Sequence, residues 1–349
     1  LTSSLTCIVM TFIFDDDDAQ SFKKILRCNH KTYLEPRGRG YRIHGPYDQK
    51  SKAILKVRKN MMKLTADWFQ THLPGYFSSG MLGGEFPTCE FVTMKVARPF
   101  MPGVKNDEQL PKYLQFLEMD RPFYAWEAKD MAGVKLAWPV LRRGDEYYSI
   151  IAANENDFSA EDLKHYGYPE ASSYLDYIDP RISELLSRWA LGAMLTGFER
   201  HINLIRDSAD LRAASKLKPL ALLARLAELV SLCVDIAAIA AEMIQYTKQK
   251  NNFSHEVADF TPLDRRAFNK AGVLFHEIIR EGIEARAKLL QNAEQAVRSL
   301  FTQYGSVLSA RANIKLQRSM SRLTWLVIAL TIPGLALSAL MAHIAIGGN

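Results

Sequence analysis

From Leu323 to Ile346 the chain runs LTWLVIALTIPGLALSALMAHIAI without one charged residue. Twenty-four residues in a helix span about 36 Å, enough to cross a hydrocarbon core of about 30 Å with some tilt. A helix with no polar face has to be covered on all sides, by lipid or by protein. The run reads as one membrane-spanning helix, 323–346, with Pro333-Gly334 near its middle. Arg298, Arg311, Lys315, Arg318 and Arg322 precede it, and no acidic residue follows Glu294. Lys and Arg beside a span favour the cytoplasmic side, so the reading is a single-pass, tail-anchored protein with the bulk of the chain cytoplasmic. Arg311, Lys315, Arg318 and Arg322 are then expected to meet anionic headgroups.

Everything before the span is long enough for two domains. Residues 1–19 read as a poorly ordered terminus: the apolar start lacks the basic residues of a signal peptide and runs into Asp15–Asp18, taken as a solvated acidic run. Residues 20–178 read as an α+β domain with a mostly antiparallel sheet. Within it, 20–52 is basic and punctuated by Pro and Gly, which predicts loop and short strands. Ile54, Val57, Met61, Leu64 and Trp68 predict one face of a helix over 53–70. Strands are predicted at 90–96 and 147–152, with a hairpin joining 123–128 to 133–141. The stretch 110–117 is compatible with either helix or strand.

From Asp179-Pro180, an N-cap acid followed by proline, the pattern turns helical and predicts a bundle over 179–322. Its first helix is expected at 180–207 and its second at 219–247. The second is apolar, but Glu228, Asp235 and Glu242 recur every seven residues and mark one polar stripe, which argues for a packed bundle helix and against a second span. After a polar connection at 248–263, a long stalk helix is expected over 264–322. Phe268, Ala271, Phe275, Ile278, Gly282, Ala285, Leu289, Ala296, Leu300, Val307 and Ile314 form a coiled-coil-like seam along it. Such a seam has to find a partner, and a homo-oligomer through 264–322 is the expectation.

Chemical motifs are sparse. Four cysteines stand apart with no CxxC pair, so they are expected to be separate free thiols. No GxxxxGK[ST], GxGxxG or GxSxG is present. His276-Glu277 lacks the second histidine of HExxH, since Arg280 stands there, so neither a metal nor another cofactor is expected. Between Lys23 and Lys63, 13 basic residues face two acids, and that imbalance makes this stripe the best candidate ligand surface. Arg37, Arg39 and Arg42, with Lys56, Arg58 and Lys59, are the candidates for holding phosphate oxygens of a nucleotide or another phosphate-bearing ligand. Tyr33, Tyr41 and Tyr47 are candidates to stack on a base.

The junction Asn313-Ile314, Met320-Ser321-Arg322-Leu323-Thr324 and Pro333 resembles the start of the first span in CorA-type magnesium transporters over about 20 residues. The resemblance implies an α/β cytoplasmic domain, a long stalk helix entering the membrane, and a symmetric assembly. That family carries Gly-Met-Asn after the span and then a second span; Gly347-Gly348-Asn349 stands here instead, so ion selectivity is not carried over. The leading expectation is a non-enzymatic membrane protein with a sensing or binding domain. The alternatives are a CorA-like divalent cation channel or membrane-permeabilising effector, and a membrane-tethered hydrolase built from His44, His72, Glu85 or Glu90.

Overall fold

The computed structural model describes residues 5–73, 75–77, 86–101, 112–119, 125–131, 133–137, 148–167, 171–208, 236–254, 259–264 and 273–346. They fall into two compact units. One lies within Leu1–Asn203 and Ile236–Gln291, the other within Leu204–Asp235 and Asn292–Asn349. The first unit takes in residues on both sides of 178/179.

That unit opens with a helix the composition hides. α1 (Asp16–Arg27) is capped by Asp15, whose carboxylate accepts from the Asp18 backbone N–H at 2.9 Å. Acids fill its first turn, and Lys24 and Arg27 lie in its last, matching the helix dipole at both ends. The Asp15–Asp18 run is thus a helix start and not a loose tail.

A two-stranded hairpin follows, β1 (Tyr33–Arg37) and β2 (Gly40–His44), paired antiparallel from Tyr33↔His44 to Arg37↔Gly40. Its two-residue loop puts Gly38 at φ +51°, a conformation only glycine adopts cheaply in such a loop. α2 (Pro46–His72) starts with proline at its first turn and is longer than the predicted 53–70. Its buried face is Ile54, Arg58 and Ala66, whereas Leu64 is 61% exposed. The apolar spacing predicts Leu64 inside; the buried face takes in the charged Arg58 instead.

The main sheet has the order β3-β6-β5-β4-β7. β3 (Thr88–Met94) pairs parallel with β6 (Tyr148–Asn154); β5 (Lys135–Ala137), β4 (Ala125–Ala128) and β7 (Phe260–Pro262) complete it through antiparallel pairs. The sheet is mostly antiparallel, as predicted, and β4 and β5 are the two arms of the predicted hairpin. β7 comes from the stretch expected to be a plain polar connection. The ambiguous 110–117 segment holds the short helix α3 (Lys112–Phe116).

One face of the sheet carries Ile150 and Ala152 into a core with Ile54, Phe100, Leu114, Leu117 and Met119, and Phe22, Ile25 and Leu26 of α1 pack against it. The alternate residues Ile151 and Ala153 are buried too, so β6 is covered on both faces. The chain continues in the later helices. These are the short α4 (Ala160–Leu163), α5 (Ala171–Ser208), α6 (236–248), the short α7 (Asn251–Ser254) and α8 (Phe275–Ile346). Phe275 of α8 lies against Trp126 of β4, ring centroids 4.9 Å apart.

Pro180 sits inside α5 and does not start it. Asp179, predicted as its N-cap, accepts from the Ser183 hydroxyl at 2.9 Å instead. Arg188 of α5 donates to the Asn252 carbonyl at 2.5 Å and to Glu184 at 2.6 Å, tying α5 to α7. Of the predicted acidic stripe, Glu228 and Asp235 lie outside the described residues, and Glu242 is half-buried on α6.

α8 begins at Phe275, and residues 265–272 of the predicted stalk lie outside the described residues. Its buried face is Phe275, Ile279, Ile283, Ala287, Leu290 and Val297. Apart from Phe275, that is not the predicted seam: Leu289, Val307 and Ile314 are 54%, 51% and 50% exposed. The helical backbone continues through Pro333 to Ile346. Among the described residues, however, no helix is long and apolar enough to cross a membrane. The side chains of Leu330 and of residues 334–346 lie outside that set.

Candidate functional site

The hairpin β1–β2 is where the predicted anion-binding arginines gather. Alternation and register divide its side chains between two faces. Tyr33, Glu35 and Arg37 share one face with Arg42 and His44. Leu34 and Pro36 share the other with Tyr41 and Ile43. Arg39 stands in the loop between them. Arg37, Arg39 and Arg42 are all exposed, and the nearest acid to Arg37 is Glu35 at 3.9 Å. Lys56 and Lys59 are exposed on α2.

The base of the hairpin is built more tightly than its tip. His44 is buried, with its ring stacked on Tyr33 at 4.6 Å between centroids. Its Nε2 lies 2.6 Å from Glu35 Oε2, and its Nδ1 lies 3.4 Å from Lys52 Nζ. An ammonium can only donate, so Nδ1 accepts and the proton sits on Nε2, donated to Glu35. That hydrogen bond from His44, with the nearby charges of Arg42 and Lys52, holds the Glu35 carboxyl below its usual range. Gln49 of α2 donates to the carbonyls of Lys31 and His44 at 2.6 and 3.0 Å, clamping both ends of the hairpin to the helix start.

This arrangement changes the roles expected for several residues. Arg58, a candidate for phosphate, is buried beneath α2. Its Nε lies 2.7 Å from Glu90 Oε2 without an aligned N–H bond, so this contact is an ion pair. Burial works hardest against its charge, but the neighbouring Glu90 and Tyr148 leave its pKa raised. Tyr148 donates to Glu90 in a short hydrogen bond, and burial pushes the phenol well above its ordinary value. Arg58, Glu90 and Tyr148 thus form a closed polar cluster joining α2, β3 and β6. Two of the three candidate stacking tyrosines are also engaged: Tyr33 on His44, and Tyr47 on Phe116 at 5.3 Å.

The hydrolase candidates are spread over separate networks. Both ring nitrogens of His44 are occupied, Glu90 belongs to the buried cluster, and His72 contacts the Trp68 carbonyl at 2.8 Å while stacking on that indole. Glu85 lies outside the described residues.

His276 is buried. Its Nδ1 is 3.5 Å from Asp259 Oδ1 without hydrogen-bond geometry, and burial lowers its pKa. Among the described residues no three His, Cys, Asp or Glu side chains are placed to hold a metal ion. Cys7, Cys28 and Cys89 are free, and burial pushes Cys89 up to about 12; Cys233 lies outside the described residues. A thiol so far above neutral pH is inert as a nucleophile.

Of the expected headgroup contacts, Lys315, Arg318 and Arg322 are exposed on α8, and the Arg311 side chain lies outside the described set. The signal missed in the sequence is the period-two alternation through YLEPR and GYRIH, which carries the apolar set Leu34, Pro36, Tyr41 and Ile43 on a single face. Comparison with family models, with curated proteins and with solved structures gave no match.

Proposed function

We propose that this chain is a non-enzymatic membrane protein, anchored through the helix at 323–346, whose α+β unit binds or senses a partner in the cytoplasm and whose long helix self-associates. The observation that carries it is α8 itself. Its helical backbone enters the uncharged run, and Leu323, Trp325, Leu326, Val327 and Ile332 stand between 55% and 69% exposed. At 100° per residue these apolar side chains are distributed all round the helix, which suits lipid. Exposed Lys315, Arg318 and Arg322 just before the run suit anionic headgroups on the cytoplasmic side. The exposed seam of Leu289, Val307 and Ile314 supports the self-association. The same seam would serve a cation-conducting or membrane-permeabilising assembly, for which ion flux from reconstituted vesicles is the distinguishing readout.

The test is alkaline carbonate extraction of membranes from cells making the full chain, alongside a variant with Leu326→Arg and Leu330→Arg. The wild type is expected in the pellet and the variant in the supernatant, since each arginine near the bilayer centre costs about 3 kcal/mol. Wild-type chain released by carbonate would overturn the proposal.

A further inference from the structure

The hairpin β1–β2 poses a question that anchoring at 323–346 does not answer. A two-stranded ribbon is marginal by itself in water, and this one leaves its apolar face open. Leu34, Tyr41 and Ile43 are 58%, 72% and 66% exposed, and Pro36 beside them is exposed as well. The polar network of Glu35, His44, Lys52 and Gln49 secures the base. It thereby fixes which way the opposite, apolar face is turned. An apolar face held out by a rigid base marks a binding surface, and its surroundings identify the occupant.

Charge comes first. From Lys31 to His44 the hairpin carries Lys31, Arg37, Arg39 and Arg42 against the single acid Glu35, and that acid is already hydrogen-bonded to His44. The occupant is therefore anionic. A second copy packed on the apolar face would leave Arg37 and Arg42, on the opposite face, without a counter-charge from that copy. Shape and chemistry come next. Single-stranded nucleic acid is held by bases stacked on aromatic rings beside the basic groups. Tyr33 and Tyr47 are engaged within the chain, and Tyr41 stands among Leu34, Pro36 and Ile43, aliphatic groups that offer a base no specific contact. Aliphatic side chains with one tyrosine on one face, and arginines at the tip and on the other face, match the layering of a bilayer surface. Apolar groups enter the acyl boundary, tyrosine sits at the interface, and long basic side chains reach the phosphates.

We infer that the hairpin at 33–44 is a second membrane contact, laying Leu34, Pro36, Tyr41 and Ile43 into an anionic leaflet with Arg37, Arg39 and Arg42 on its phosphates. It is compatible with the anchoring proposed above and does not require it, because the hairpin would bind an anionic surface from solution as well.

Hydrogen exchange of the full-length chain tests this. The chain is mixed with vesicles of phosphatidylcholine alone, and with vesicles of phosphatidylcholine and phosphatidylserine at about three to one, and amides 31–44 are followed by mass spectrometry. Phosphatidylserine is expected to slow exchange in the hairpin about fivefold or more relative to phosphatidylcholine alone. A variant with Arg37→Glu, Arg39→Glu and Arg42→Glu, and a separate one with Leu34→Ser and Ile43→Ser, should each lose that difference. Unchanged exchange in β6 would show that both remain folded. Equal exchange on the two vesicle types would overturn the inference. So would protection that survives charge reversal, or protection of the same amides by an RNA oligonucleotide without lipid. Carbonate resistance reports on 323–346 alone, so failure of the anchor and failure of the hairpin give different results.

Discussion

At the scale of single residues, the unit within Leu1–Asn203 and Ile236–Gln291 holds some of its buried charged side chains in closed arrangements. Arg58 and Glu90 are the clearest case, a buried pair completed by Tyr148 and by the Leu117 carbonyl, which accepts from Arg58 at 3.3 Å. A pair of this kind adds little net stability, but removing one partner leaves a buried charge. His276 illustrates the opposite condition, a titratable ring kept neutral. Burial lowers its pKa below the ordinary 6.5, partly offset by the charges of Asp259 and Glu277 and reinforced by Arg188 and Lys129. A folded-state pKa below the unfolded one means that the unfolded chain takes up the proton first. The contribution to stability is therefore whole above about pH 6.5 and is lost as pH falls toward the folded-state value. Thermal unfolding of the wild type and of His276→Gln between pH 8 and about 5 should show a steeper acid loss in the wild type. Parallel curves would show that His276 is not among the groups driving acid unfolding.

Among elements, the turns and caps decide where strands and helices stop. The β4–β5 hairpin closes through Gly133, at φ +73°, and a Cβ there would lie 2.4 Å from the Asp157 Cβ. Asp157 is itself fixed by Arg98 at 2.7 Å, so it has little room to retreat. Gly133→Ala combines a left-handed backbone with a direct clash and is expected to lower stability by about 2–4 kcal/mol. Urea unfolding would measure it, and a loss under about 0.5 kcal/mol would mean that the turn can rearrange. α1 and its Asp15 cap were legible in SFKKILR preceded by four acids, a start signal and a last-turn signal in sequence order. They were obscured because an acidic run at a terminus usually reads as solvated.

For the whole molecule, the question is what covers α8 beyond its buried face. Phe275, Ile279, Ile283, Ala287 and Leu290 are satisfied within the first unit, so they are not available to a partner. The predicted seam through Leu289, Val307 and Ile314 is a different stripe and stays open. Self-association along it predicts that the full chain in mild detergent elutes as an oligomer by light-scattering chromatography. Val307→Lys with Ile314→Lys should shift it to monomer, because a charged residue at each core position of a coiled coil disfavours the packed state. A wild-type monomer would leave the seam without this role.

The sequence by itself determined what depends on local spacing. The class of each long helix, the β4–β5 hairpin, the mostly antiparallel sheet, the basic stripe and the uncharged run 323–346 all follow from periodicity and charge counted along the chain. Tertiary structure decided what depends on contacts between distant positions. Leu64 and Leu289 face out, and Arg58 and His276 face in, because burial is set by which neighbour is met and not by polarity alone. β7, three residues from a polar connection, became a strand because β4 offered it an open edge. Asp179-Pro180 lost its role as a helix start because the helix was already running from Ala171. The basic stripe, one feature in the sequence, was divided by folding into a buried ion pair at Arg58 and an exposed two-faced hairpin at 33–44. A strand pair sorts its side chains by register, and register exists only once the two strands have met.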